Sequence, residues 1–374
     1  MPVETPVVLA LAYPEAPLAV VLSWGRLREM VGTVALLEVE DLRVSFPTGD
    51  GLVRAVRGVS FRIEAGRTLG IVGESGSGKT VAAQTIMGLT RGAEVAGRAW
   101  FEGRDLLAIG AEELRQVRGA RIAMIFQDPL SSLHPFYRVG WQIGEMIRLH
   151  DGSASRARRR ERAVELLGMV GIPQPGRRVD DFPHQFSGGM RQRAMIAMAM
   201  ALNPVLLIAD EPTTALDVTV QAQVLAVIGR LQAEFGTAVI LITHDLGVIA
   251  ETADEVVVMY GGRVMEQADR VTLFTGFHHP YTEGLLRSLP AYGGERARLR
   301  PIPGQPPSPI TLPPGCPFAP RCSYAFDRCA AEPPLAPAGT GQEHLSACWL
   351  DPGRVADTGP RTTAGEPGLT GPAR

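Results

Sequence analysis

Residues 68–80 read Thr-Leu-Gly-Ile-Val-Gly-Glu-Ser-Gly-Ser-Gly-Lys-Thr, and this stretch decides the fold. Thr68–Val72 has the length and apolar character of a short buried strand. It runs straight into Gly73, Glu74, Ser75, Gly76, Ser77, Gly78, Lys79 and Thr80, and a helix is expected from Lys79 to about Leu89. That loop fits G-x-x-x-x-G-K-[ST] between a strand and a helix, the context in which the pattern means a phosphate cradle. Glycines let the backbone curl so that successive N–H groups point inward, and the helix N-terminus adds its positive end. Lys79 would reach the β- and γ-phosphates, the Thr80 hydroxyl would ligate Mg²⁺, and Val81 comes next on the same helix turn.

Composition singles out the same position. The chain has 374 residues, and of its 37 basic residues Lys79 is the only lysine. A compact ammonium on a flexible stem is a different tool from a planar guanidinium. The one position that kept it is expected to need it. A formal net charge of -2 leaves no basic footprint for nucleic acid. The most apolar stretch, residues 7–24, is broken by Pro14, Glu15 and Pro17, short of the ~18–20 residues a spanning helix needs. Residues 1–33 differ in composition from the rest of the chain, and Met30 stands just before a clear strand pattern. They are expected to be a poorly ordered extension, native or a consequence of start-site choice.

Outward from the loop, Leu36–Phe46 and Val53–Ile63 read as strands, with period-two alternation at Leu42, Val44 and Phe46. Arg98–Phe101 is another strand. From Pro129 to about Phe186 the pattern turns helical and polar, with helices at Val139–His150 and Arg156–Val170. The five arginines from Arg156 to Arg162 read as a solvated helix face. A helix at Gly188–Leu202, strand Val205–Ala209, a long helix Val218–Phe235, strands Ala238–Ile242 and Glu255–Tyr260, and a short helix Pro280–Leu289 complete the series. Strands alternating with helices imply an α/β fold around a mostly parallel sheet, with antiparallel strands at the front end. The expected division is 34–285 for the main domain, about 129–200 for a helical subdomain within it, 286–350 for a C-terminal extension and 351–374 for a disordered tail.

A second constellation stands at Val205-Leu-Leu-Ile-Ala-Asp210-Glu211, an apolar strand ending in two carboxylates. Neighbouring side chains on a strand point to opposite faces, so the two acids are expected to do different work. Asp210 can hold Mg²⁺, and Glu211 can polarise an attacking water as a general base. His244 comes after another buried strand and falls at the sheet's carboxyl edge, where α/β folds bind ligands.

Phe186-Ser-Gly-Gly-Met-Arg-Gln-Arg193 lies between the loop and the carboxylate strand and resembles the signature motif of ABC ATPases. The resemblance covers roughly residues 36–350 and implies a P-loop NTPase fold with a mixed-sheet core, an antiparallel β subdomain and a helical subdomain. It implies that Gln127 senses Mg²⁺ and nucleotide, that Thr214-Ala-Leu-Asp217 is a dimer-contacting loop, and that Phe46 stacks on adenine, which needs only a π-face. Ser187, Gly188, Gly189 and Met190 open a helix and make a second anion site. In the family that site caps the γ-phosphate held by a partner's loop, so two subunits clamp the ATP. The segment between Gln127 and Ser187 would be the arm that meets a permease.

Asp128-Pro-Leu-Ser-Ser-Leu, Phe182-Pro-His-Gln-Phe and Ala209-Asp-Glu-Pro-Thr-Thr-Ala-Leu-Asp-Val-Thr resemble the dipeptide/oligopeptide/nickel importer ATPases, and Met190 with Thr213-Thr214 resembles their "D" subunit. His134 departs from the asparagine commoner there. His278-His-Pro-Tyr-Thr282 and Leu312-Pro-Pro-Gly-Cys-Pro-Phe-Ala-Pro-Arg-Cys322 resemble that subfamily's C-terminal extension. The resemblance implies an ATPase coupled to transmembrane uptake of di- or oligopeptides, with nickel or another small solute as the alternative cargo. It would sit peripherally at the cytoplasmic face of the membrane. Its partners would be an "F"-type second ATPase, two permeases and an extracytoplasmic solute-binding protein. A soluble repair ATPase would need a long coiled coil between loop and signature, and Lys79 and Ser187 are only 108 residues apart. Translation-type members usually carry two cassettes, and this chain carries one. A degenerate regulatory protein would lack some of Lys79, Asp210, Glu211 and His244, and all are present.

Cys316, Cys322, Cys329 and Cys348 are the chain's only cysteines and fall within 33 residues. A reducing compartment disfavours disulfides. Their spacing lacks the paired C-x2-C of most zinc ribbons. An iron–sulfur cluster, [4Fe–4S], zinc, and merely structural thiols all remain open readings.

Overall fold

The structure, a computed structural model, describes residues 35–128, 132–214, 216–288, 301–338 and 343–351. The expectations for residues 1–33, for the tail after Asp351, and for Pro129 and Ala215 within their motifs lie outside the described residues.

Leu37–Thr48 (β1) and Gly51–Ile63 (β2) form a long antiparallel hairpin, and Glu94–Phe101 (β4) with the short Arg104–Asp105 (β5) completes a sheet in the order β2-β1-β4-β5. The apolar rhythm of β1 slips by one residue. Leu37 and Val39 are buried, then Leu42 and Val44. Asp41, at φ 45°, is the inserted residue, and the register with both neighbours shifts across it. This bulge keeps one face of β1 inward on both sides of the irregularity.

Thr68–Val72 (β3) is the middle of the second sheet. It pairs in parallel with Ala238–Thr243 (β8) on one side and Glu255–Tyr260 (β9) on the other. Leu206–Asp210 (β7) and Ile122–Ile125 (β6) extend it in parallel beyond β8. Arg263–Asp269 (β10) turns back antiparallel on β9 through Gly261-Gly262. β3, β7 and β8 are buried along their whole length, as strands covered on both faces must be. Their period-two alternation then sorts side chains into two cores. Leu69, Ile71, Ile208 and Ile240 meet the β1–β2 hairpin and the helix Lys79–Ile86 (α1), while Val72, Leu207, Val239 and Leu241 meet helices on the opposite face.

Among the described residues, the segment between β6 and β7 carries the α-helices Val139–His150 (α3), Arg156–Met169 (α4), Pro175–Arg178 (α5) and Gly188–Ala199 (α6), Ala111–Val117 (α2) having preceded β6. Ile143, Ile147, Leu166, Leu167 and Met195 fill the space between them. The arginine run of α4 lies mainly on its outer side, with Arg160 paired to Asp180 at 2.8 Å. Val218–Phe235 (α7) crosses the sheet, and Leu246–Thr252 (α8), Arg270–Gly276 (α9) and Pro280–Arg287 (α10) end the helical series. α1 stops at Ile86 rather than reaching Leu89, because Gly88 turns to φ 59°. Among the described residues no helix is long and apolar enough to cross a membrane.

The extension is tied into the core. Ala336–Pro337 (β11) and Leu345–Ser346 (β12) pair with each other, and β12 pairs with β10 at Glu266↔Ser346, giving the order β11-β12-β10-β9-β3-β8-β7-β6. A Pro- and Gly-rich composition did not announce these strands, which are only two residues long.

Candidate functional site

The loop after β3 is possible only with glycine at two places. Gly73 stands at φ 154°, and a Cβ there would lie 2.1 Å from the Met259 carbonyl oxygen. Gly78 stands at φ 98°, and a Cβ there would lie 2.3 Å from the Ala55 carbonyl oxygen. The loop is thus wedged between β9 and the β2 strand. The Gly262 N–H donates to the Ser77 carbonyl at 3.1 Å, closing the cradle from the β9–β10 turn. Ser75 and Gly76 form its exposed tip, and Val81 is half-buried on α1.

Lys79 is only 5% exposed. Its ammonium bends back over the loop and donates to the Gly73 carbonyl at 2.7 Å, the Glu74 carbonyl at 3.0 Å and the Ser77 hydroxyl at 3.3 Å. Burial lowers its pKa, against the pull of the Glu211, Asp210 and Glu74 carboxylates. Thr80 donates its hydroxyl proton to Asp210 Oδ1 at 2.9 Å, which joins α1 to the end of β7. Asp210 is 2% exposed, and burial raises its pKa while the Thr80 hydrogen bond holds it down. A hydroxyl and a carboxylate in contact are hard oxygen donors of the kind Mg²⁺ takes.

Glu211 follows β7 in a left-handed conformation, φ 46°, with its N–H donating to the Ile242 carbonyl. That turn, more than plain strand alternation, parts the two acids. Asp210 faces Thr80, and Glu211 faces outward to a different set. Its carboxylate accepts from the Thr214 hydroxyl at 2.7 Å and from Gln127 Nε2 at 3.1 Å, and His244 Nδ1 stands 3.6 Å away. A strained backbone on an acid so surrounded is a mark of a working site. His244 is 62% exposed, just before Asp245, which caps α8. Thr214, read from sequence as the start of the dimer-contacting loop and as a subfamily mark, is also part of the acid's setting.

Phe46 is half-buried, opposite Val53 in the β1–β2 register, two residues before the Ala55 carbonyl that touches Gly78. Ser187 caps α6, accepting from the Met190 N–H at 3.4 Å, and Ser187 and Gly188 are exposed. Gly189 faces Val220 of α7, where a Cβ would lie 2.7 Å from a methyl group. Asp217 caps α7, accepting from the Val220 N–H at 2.9 Å. Among the described residues no hydrogen bond or ion pair joins Ser187, Gly188 or Gly189 to the phosphate loop.

Two further partners of the loop escaped the reading from sequence. The Glu74 N–H donates to the Tyr281 hydroxyl at 2.9 Å, and the Glu74 carboxylate is forked by Arg321 at 2.6 and 3.0 Å. Tyr281 sits in a stretch read as a short helix and Arg321 beside a cysteine of the cluster, and no spacing rule links either to the loop.

Cys316, Cys322, Cys329 and Cys348 line one pocket with His279, Pro280, Phe318 and Tyr324, and all four thiols are free. Burial pushes the Cys322 and Cys348 thiols up to about 11 and raises Cys316 as well. Among the described residues no group of three or more His, Cys, Asp or Glu is drawn together as a single metal ion requires. Elsewhere, Phe136 is 82% exposed beside Tyr137, which stacks on Trp141 at 4.3 Å, forming an aromatic platform on the helical subdomain.

Comparison with known proteins gives two family matches, one described as ABC transporter over residues 56–214 and one as oligopeptide/dipeptide transporter, C-terminal region, over residues 265–329. The oligopeptide transport ATP-binding protein OppD of Salmonella typhimurium is 51% identical over 316 residues, spanning 84% of this chain and 93% of that protein. The dipeptide transport ATP-binding protein DppD of Escherichia coli is 50% identical over 303 residues, 80% of this chain and 92% of that one. Among solved structures, the dimeric post-hydrolysis state of the ATP-binding cassette MJ0796 bound to ADP and Pi is 27% identical with a TM-score of 0.57, covering 63% of this chain and 98% of that one.

Proposed function

This chain belongs to the ABC transporter family and is the ATP-binding and ATP-hydrolysing subunit of a peptide importer, and from that premise we propose how its residues divide the work. Residues 73–81 hold the triphosphate, with loop N–H groups and the Lys79 ammonium on the β- and γ-phosphates, and Phe46 takes the adenine face. Thr80, Asp210 and Gln127 would hold Mg²⁺, which when bound offsets charge on the phosphate oxygens. Glu211 accepts a proton from the attacking water as its oxygen bonds to the γ-phosphorus and the bond to the ADP oxygen breaks. His244 orients that water and the γ-phosphate. The observation that carries this reading is the Thr80–Asp210 contact, which brings the loop and the two-acid strand end into one site, with Glu211 turned toward Gln127, Thr214 and His244.

Ser187, Gly188, Gly189 and Met190, exposed or half-exposed at a helix start, suit a γ-phosphate held by a second subunit, with Asp217 at the same interface. We assign that second subunit to a distinct "F"-type ATPase, and the pair to two permeases fed by an extracytoplasmic solute-binding protein. The Phe136–Tyr137–Trp141 platform suits a permease segment, which would hold this subunit peripherally at the cytoplasmic face of the membrane. The working division is 34–285 for the cassette, with its helical part at about 129–200, and 286–350 for the extension.

Cys316, Cys322, Cys329 and Cys348 are assigned to a [4Fe–4S] cluster, since four thiols line one pocket and a four-iron cluster spreads its ligands wider than a single ion does. Anaerobic purification with iron, zinc and sulfide analysis and visible spectra tests this. A colourless, metal-free protein overturns it.

The nucleotide reading is tested by equilibrium binding of Mg-ATP to the full chain and by peptide uptake in the assembled transporter. Lys79→Ala is expected to abolish both. Retention of both would overturn it.

A further inference from the structure

Glu74 is a liability where it stands. It is the second residue of the cradle, five positions from Lys79, and its carboxylate is close enough to act on the Lys79 ammonium electrostatically. A free carboxylate there would repel a triphosphate and would compete with it for the chain's one ammonium. It is not free. Arg321 grips it through two parallel N–H···O bonds, the fork geometry that makes Arg–carboxylate pairs strong and specific.

The Arg321 side chain is 6% exposed, and all three of its nitrogens donate. Beside the two bonds to Glu74, it donates to the Tyr260 hydroxyl at 3.1 Å, the Pro303 carbonyl at 2.8 Å and the Ile302 carbonyl at 3.3 Å. The guanidinium thus bridges β9, the segment starting at 301, and the phosphate loop. Tyr281 of α10 completes the hold by accepting from the Glu74 N–H. Burial opposes the Arg321 charge, yet the hydrogen bonds to Glu74 and Tyr260 outweigh it and the guanidinium stays firmly protonated. Arg321 is also the residue before Cys322, at the end of the short turn Ala319–Arg321, and its N–H donates to the carbonyl of Phe318, which lines the cysteine pocket, at 2.9 Å.

We propose that Arg321 is a positioning residue of the nucleotide site: it holds the Glu74 carboxylate away from Lys79, so that the C-terminal extension completes the phosphate cradle of its own chain. This rests on the reading of residues 73–81 as the ATP site. It gives the extension a share in ATP affinity.

The test compares Mg-ATP binding to the full-length chain and, in the assembled transporter, KM and kcat for ATP. Loss of a buried charge-assisted fork should weaken ATP binding in Arg321→Ala by roughly tenfold and raise KM, with kcat held within about twofold. Adding Glu74→Gln removes the rival carboxylate, and the double variant should regain most of the lost affinity. A purely structural contact would instead lower the urea-denaturation midpoint of Arg321→Ala and leave the ATP affinity of the folded protein unchanged. Unchanged affinity in Arg321→Ala, or a double variant as weak as the single one, overturns the proposal. Should Arg321→Ala fail to fold, Arg321→Lys, which keeps the charge without the fork, must show the same loss and the same rescue by Glu74→Gln. If Arg321→Lys binds as wild type, or is not rescued, the proposal fails. Lys79→Ala is the control: if that variant binds ATP normally, the nucleotide reading has failed instead.

Discussion

Glu211 and Gly78 show how much single residues decide. Glu211 is held in a left-handed turn with its carboxylate against Thr214, Gln127 and His244, clear of the Asp210 that faces Thr80. Its replacement by glutamine keeps shape and most hydrogen bonds but removes the proton acceptor. Glu211→Gln should lower ATP turnover by ~10²–10⁴-fold while Mg-ATP binding persists, read from phosphate release beside equilibrium binding. Undiminished turnover would take Glu211 out of the reaction. Gly78→Ala meets both a positive φ and the Ala55 carbonyl at 2.3 Å, so the loop must shift off the β2 strand. ATP affinity should fall by at least about tenfold, about 1.4 kcal/mol, with the far-UV circular dichroism of the fold retained. The distinction between the two acids was legible in their adjacency at a strand end. The left-handed turn that enforces it was not, because glutamate carries no turn signal.

At the scale of elements, caps and close approaches set the geometry. Asp217 starts α7 by accepting from the Val220 N–H, and Val220 in turn packs on Gly189 at the start of the signature helix. Asp217→Ala removes the cap and should cost about 1 kcal/mol in urea unfolding of the full chain. A midpoint equal to wild type would show that the cap contributes nothing. The strong periodic helices and the buried parallel strands were readable, Val139–His150 to the residue and Val218–Phe235 closely. Ile122–Ile125 and Arg263–Asp269 were missed. The first is four residues of unbranched and branched apolars that suit either structure, and the second comes after a tight Gly-Gly turn without strict alternation.

Over the whole molecule, the extension closes over a titratable group. His279 is fully enclosed beneath it, beside the buried Glu266 and the Phe318 ring, and desolvation lowers its pKa to about 4. Native His279 therefore stays neutral where the unfolded chain's histidine takes a proton. Between about pH 6.5 and 4 the unfolded state binds the extra proton, so stability falls as pH falls through that window and is whole above it. The loss should approach about 3 kcal/mol by pH 4. Denaturation midpoints between pH 4 and 7.5 check this, and a His279→Gln variant should show a flatter acid limb. An equally steep limb in that variant would assign the acid sensitivity elsewhere.

The sequence alone determined the chemistry that local backbone supplies. A strand, a glycine loop, one lysine and a strand ending in two acids are contiguous motifs, and each has one physical use. Tertiary structure decided what meets the loop from afar. Arg321 lies 247 residues beyond Glu74, and Tyr281 lies 207 beyond it. No motif ties either one to the loop, because a hydrogen bond across the fold leaves no spacing in the chain. The strand that joins the extension to the core sheet is likewise only two residues long, too short to show a period, and forms because the edge of β10 offers it partners.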